Sequence, residues 1–315
     1  MVVFLVVLLL VICPLAATQD PSLNTMPQYI ITIAVVSHNR LSSLDRLCAS
    51  LKKLRNPNGV QVHLSFNMES ASSKDIMDLV SNFQWTHGDK FTKIRIIKSG
   101  DIISVTEAWY PGDPFEYGLI LEEDSEISEF ALIWIHKMLG LYHTGSFGQN
   151  GLDLRMVGLS LHGPMFVETL DGRSHDLPLL PASAARNISG DEQYPYLSQR
   201  PSSAGTLYFP EFWKDFVQYL SSKAHIGRDA FIEGSVTNDW ERGWKKHLYD
   251  FLEFKGEFLL HPNFRNRTAI ATNTIDPSEE QMAIINKGGE GARRVWYTIK
   301  AERVRISVPL IASQE

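Results

Sequence analysis

Four acids, Glu122, Glu123, Asp124 and Glu126, stand within five positions, directly after the apolar run Tyr117 to Leu121. Carboxylates this close repel one another, so the segment costs stability unless a cation or solvent separates the charges. A divalent metal does so well. Hard oxygen donors suit magnesium or manganese, which are commonly held by one or two carboxylates together with substrate phosphates. The competing reading puts the acids at a helix start, where the helix dipole favours negative charge and no chemistry follows. The apolar strand before them favours the metal, because ligands of α/β sheets bind outside the carboxyl ends of the strands.

The elements that must position these acids can be read from periodicity. Ile30 to Val36 is β-branched and apolar, as expected of a strand buried on both faces, and polar Ser37, His38, Asn39 and Arg40 end it. Leu44, Leu47, Leu51 and Leu54 then repeat at helical spacing, with Ser42 and Asp45 as a candidate capping box. The pattern recurs: Val60, Val62, Leu64 and Phe66 alternate as a strand, and Ser72 with Asp75 could cap a helix carrying Ile76, Val80 and Phe83. Lys93 to Ile97 supplies a third strand, Tyr117 to Leu121 a fourth, and an apolar helix is predicted from about Phe130 to Tyr142. Strands are also expected at Met156 to Leu161 and Phe258 to Leu260, with order resuming at Gly205 to Tyr208. Further helices are expected from Pro210 and over Trp240 to Phe254, and the polar stretch Leu170 to Gln199 reads as a loop that orders when a ligand binds. Alternating strands and helices predict an α/β fold: a Rossmann-like, mostly parallel central sheet with helices on both faces.

The chain has 315 residues, 44% of them hydrophobic and 21% charged, enough to bury a full core as one large domain. Its formal net charge of −6 supplies no basic face for a phosphate backbone, so no nucleic-acid partner is expected. Residues 1–17 are apolar, too short to span a bilayer comfortably, and closed by Ala16 and Ala17, which reads as a secretory signal peptide. The segment lacks a basic start, so an uncleaved signal anchor stays open, and membrane association is expected only in that case. Residues 18–28 form a linker, 29–275 the catalytic domain and 276–315 a tail. Glycosylation sequons at Asn187 and Asn266 fit a lumenal, Golgi or secreted location. The two cysteines, Cys13 in the apolar leader and Cys48 on a predicted helix, give no disulfide in the mature chain.

The run Ile31 to Arg40 followed by a leucine helix is similar to the opening strand and nucleotide loop of A-type (GT-A) glycosyltransferases. The acidic strand end resembles their metal motif. Within that fold the chain resembles the inverting N-acetylglucosaminyltransferase that begins complex N-glycans, over about Tyr29 to Thr268. The resemblance implies a nucleotide-sugar donor, a uridine diphosphate sugar, bound near Ser37, His38, Asn39, Arg40, Glu122 and Glu123. It makes Asp124, with Glu126, the ligands of Mn2+ or Mg2+. Glu69 would replace the acid that ends the second strand in the family. Tyr208 to Trp213 resembles the acceptor-side aromatic segment, and Asn238-Asp239-Trp240 resembles an Asp-Asp-Trp whose second acid is the catalytic base, implicating Asp239. The acceptor, a glycan, protein or lipid, is left open.

Residue chemistry offers blander roles beside these. Asn238 and Glu241 could form a capping box that makes Asp239 a first-turn helix acid. Trp109, Tyr110, Trp213 and Trp240 could stack on sugars, although core packing is the commoner fate of such rings. His261 reads as a capped or solvated histidine, with metal ligation as the alternative. Two rival functions remain: a catalytically inactive lumenal carbohydrate-binding protein of the same fold, and a nucleotidyltransferase, whose usual glycine-rich phosphate loop is absent after Val36.

Overall fold

The computed structural model describes residues 29–37, 39–96, 105–144, 155–163, 195–202, 204–226, 244–264 and 268–273. The leader, the linker, the tail, the asparagines of both sequons and most of the predicted loop lie outside the described residues, as do His38 and Asp239.

Strands β1 (Ile30–Val36), β2 (Gln61–Glu69), β3 (Lys90–Arg95) and β4 (Glu116–Glu122) run parallel to one another. Helices α1 (Leu41–Leu51) and α2 (Lys74–Asn82) make the first two crossovers. The three-residue β5 (Ser125–Ile127) follows β4 and leads into α3 (Ala131–Tyr142). The rest of the described chain comprises β6 (Met156–Ser160), β7 (Tyr196–Ser198), β8 (Thr206–Tyr208), α4 (Pro210–Ile226), α5 (Trp244–Lys255), β9 (Phe258–His261) and β10 (Ala271–Asn273). Eight strands form one sheet in the order β3-β2-β1-β4-β8-β6-β9-β7, and β10 pairs with β5 in a separate two-stranded ribbon.

The sheet is mixed, which corrects the expected mostly parallel arrangement. β8 inserts antiparallel between β4 and β6, and β7 is antiparallel to β9. β7 also places Tyr196–Ser198 in the sheet, at the end of the stretch expected to be loop. Both strands have three residues, too few to show a period of two. The capping expectations shift as well. Ser42 lies inside α1, whose N-cap is Arg40 without a side-chain hydrogen bond, and α2 is capped by Ser73 accepting from the Ile76 N–H at 3.4 Å, not by Ser72.

Two apolar layers enclose the sheet. Ile31, Ile33 and Val35 of β1 pack with Leu44, Leu47 and Leu51 of α1, and with Leu132 and Ile135 of α3. Ala34 and Val36 face the opposite layer, built from Trp109, Tyr208, Trp213 and Phe216 with Leu248 and Phe251 of α5. Trp109 lies flat against the middle of β4 because Gly118 has no side chain there; a Cβ at Gly118 would fall inside contact distance of the indole. The ring cannot easily retreat. Its Nε1–H donates to Glu116 Oε1 at 2.9 Å, and its carbonyl accepts from Trp213 Nε1–H at 2.8 Å. Overpacking a held site costs up to about 3 kcal/mol. Gly118→Ala is therefore expected to lower the melting temperature by roughly 2–12 °C. Gly112→Ala, whose added Cβ meets only Glu116 Oε2 at 3.4 Å, should leave it nearly unchanged. Calorimetry on the two variants checks this, and equal melting temperatures would refute the packing argument.

Candidate functional site

The chain proceeds β1, β2, β3 in one direction across the sheet and then returns to place β4 on the other side of β1. The carboxyl ends of β1 and β4 thus flank the point where strand order reverses, the usual ligand crevice of an α/β sheet. Val36 stands opposite Glu122 in register, and the Glu123 N–H donates to the Val36 carbonyl at 3.1 Å. The loop after β1 and the acidic turn after β4 are consequently forced together.

Their side chains join. Ser37 Oγ–H donates to Glu123 Oε2 at 3.0 Å, and the Arg40 backbone N–H reaches the same oxygen at 3.4 Å. The Arg40 guanidinium lies 3.8 Å from Glu123 Oε1 and donates to Asp124 Oδ2 at 3.4 Å. Glu123 is fully buried and Asp124 nearly so, whereas the Arg40 side chain is 38% exposed. A buried carboxylate is tolerable only with such donors, since burial otherwise disfavours its charged form.

The neighbouring acids turn elsewhere. Glu122 accepts from Trp244 Nε1–H at 3.2 Å, which brings the start of α5 to the end of β4. Glu126 pairs with Arg46 of α1 at 3.6 Å, in a surface cleft also lined by Ser50, Lys53 and Glu129. Asn39 Oδ1 accepts from the Ser73 N–H at 3.1 Å and so ties the β1 loop to the cap of α2. Glu69 ends β2 opposite Arg95 in register. Arg95 Nη2 donates at 3.0 Å to the Asn67 carbonyl, which also receives the Ser37 N–H at 2.9 Å.

Among the described residues no three His, Cys, Asp or Glu side chains converge as a cage for a metal ion. Glu123 and Asp124 nonetheless present adjacent hard oxygen donors. That donor set suits magnesium or manganese where phosphate and water complete the shell. The Arg40 guanidinium already stands as a cation against both carboxylates.

Several sequence candidates are core. Trp109 and Trp213 are buried, as are Tyr208, Phe209 and Phe212 of the segment likened to an acceptor site, while Tyr110 is exposed. His261 is fully buried, its Nδ1–H donating to the His162 carbonyl at 3.0 Å and its ring stacked on Tyr196. Burial pushes its pKa down to about 4, so it is a neutral core histidine. Sequence reasoning passed over Trp244, Asn67 and Arg95. Asn67 had a signal, since a polar residue in a buried strand must find a hydrogen-bonding partner.

A family model described as the SPBC1E8.03c C-terminal domain matches residues 42–149, from the start of α1 past the end of α3. No curated protein matches the sequence. Among solved structures the chain is similar to S. aureus TarS 1-349 at 11% identity, with TM-score 0.44, over 89% of this chain and 67% of that one. It is similar at 11% identity to TarS 1-349 in complex with UDP-GlcNAc, with TM-score 0.45 over 86% of this chain and 71% of that one. For TarS 1-349 in complex with UDP the values are 11%, 0.43, 86% and 70%.

Proposed function

We propose that this chain is a glycosyltransferase of the A-type fold, moving a hexosyl or N-acetylhexosaminyl group from a uridine diphosphate sugar to an acceptor hydroxyl with inversion. One observation carries the reading: the Ser37–Arg40 loop and the Glu123–Asp124 turn meet at the switch point of the sheet, joined by hydrogen bonds and ion pairs. A crevice there, walled by carboxylates and an arginine fork, suits a diphosphate ester. Asp124, with Glu123 beside it, would hold a magnesium or manganese ion, which when bound offsets the charge of the departing diphosphate.

The chain's own groups take the remaining roles. Ser37 Oγ–H and the Arg40 N–H donate to Glu123 and hold it beside Asp124. The Arg40 guanidinium faces the same crevice with a donor geometry suited to phosphate. Asp239 is the proposed base: its carboxylate takes the acceptor hydroxyl's proton as that oxygen attacks the anomeric carbon. The bond to the diphosphate breaks on the opposite face, and the diphosphate leaves with the electron pair. Glu69 and Asn39 belong to the nucleotide side of this reading. The apolar leader and the sequons at Asn187 and Asn266 support a secretory-pathway location, with a glycan, protein or lipid acceptor.

A panel of nucleotide sugars, each incubated with the full chain and manganese, tests the proposal through release of the nucleoside diphosphate. Release from a uridine diphosphate sugar, suppressed by a chelator, is the expected result. Binding of a sugar ligand with no release from any donor would replace the enzyme with a carbohydrate-binding protein.

A further inference from the structure

We propose that Arg40 is a built-in counter-ion that competes with the divalent cation for Glu123 and Asp124, an inference resting on the metal reading above. The contacts divide by strength. Glu123 Oε2 is held by Ser37 Oγ–H at 3.0 Å, whereas the Arg40 N–H lies 3.4 Å from the same oxygen and the guanidinium reaches Glu123 Oε1 at 3.8 Å and Asp124 Oδ2 at 3.4 Å. Charge-assisted hydrogen bonds between nitrogen and oxygen normally measure about 2.7–2.9 Å, so the guanidinium's grip is loose. Its head group can therefore leave while Ser37 keeps Glu123 in place. With its side chain 38% exposed, Arg40 can rotate into solvent at small cost, and its planar fork is then available to phosphate.

The arrangement answers the repulsion between neighbouring acids without a metal. Arg40 offsets one of the turn's two negative charges when the crevice is empty and yields its position when a doubly charged ion arrives. Two cations cannot share these carboxylates without repelling each other, so metal affinity is set by how readily the guanidinium withdraws. Removing Arg40 must then tighten metal binding, the opposite of what general damage to the site would do.

Calorimetric titration of manganese into the full chain, with no donor present, tests this. Arg40→Ala and Arg40→Gln are both made, so that one folded variant suffices, and circular dichroism checks the fold. Both should bind manganese roughly tenfold more tightly than the unaltered chain, because the positive charge that repels the ion and competes for its ligands is gone. Arg55→Ala, which removes an equal charge from the exposed pair with Glu129, should not change the affinity. If manganese binding is lost in Asp124→Asn but is unchanged or weaker in the Arg40 variants, the counter-ion role is overturned and the metal site stands. If neither the unaltered chain nor the Arg40 variants bind manganese, the metal site itself fails and takes the proposal with it.

Discussion

Asp124→Asn is expected to reduce manganese-dependent transfer by roughly 1,000-fold or more while leaving the protein folded. The two magnitudes separate the site reading from a structural one. Asp124 meets Arg40, whose side chain is 38% exposed, at 3.4 Å, and that guanidinium can turn to solvent when its partner loses charge, so the fold loses little. Loss of metal-assisted charge stabilisation on a leaving diphosphate removes several kcal/mol from the transition state, and each 1.36 kcal/mol is about tenfold in rate. Asparagine keeps the size of aspartate and one of its acceptor oxygens, so Arg40 retains a partner and the turn between β4 and β5 keeps its shape. Assays of the purified variant across a manganese titration, with calorimetry in parallel, check both halves. Full transfer activity would remove Asp124 from the site, and collapse of the fold would show that it serves the turn.

The first half of the sheet was legible because its signals are long and periodic. β1 was expected at Ile30 to Val36 and occupies those residues, and the predicted helix from Phe130 corresponds to α3 at Ala131–Tyr142. α4 begins at the proline expected to open it. The second half was less legible for a physical reason. β7 and β8 owe their places to partners distant in sequence, Tyr196 pairing with His261 and Leu207 with both Leu119 and Leu159. No local pattern in three residues announces such pairings or their antiparallel sense.

At the site, composition located the acids and the strand end located the crevice, but neither distributed the side chains. The four acids, of which Asp124 and Glu126 were expected to hold the metal and Glu122 and Glu123 the donor, are drawn to different partners: Glu122 to Trp244, Glu123 to Ser37 and Arg40, Asp124 to Arg40, and Glu126 to Arg46. The repulsion argument itself holds. What it could not anticipate is that two of the cations answering it are arginines, one on the loop after β1 and one on α1, both brought near by parallel pairing of strands far apart in the chain.

Asp239→Asn is expected to slow transfer ~100-fold to ~10,000-fold with donor binding and melting temperature nearly unchanged. Asp239 lies outside the described residues, so its proposed role draws on the sequence and on where the chain next enters the structure. That entry is Trp244, whose indole N–H meets Glu122 at the carboxyl end of β4, at the rim of the crevice. The competing role is that of a first-turn helix acid, set up by Asn238 and Glu241 as a capping box. Losing that interaction costs about 0.3–1 kcal/mol of stability and nothing in the chemical step. A base that takes its proton only as the acceptor attacks contributes to turnover and not to donor affinity, so the two roles differ in which measurement moves. Donor binding by calorimetry, melting temperature and the transfer rate on one preparation of the variant decide between them. A fall in transfer of less than tenfold would make Asp239 a helix acid and leave the acceptor's proton to another carboxylate at the crevice.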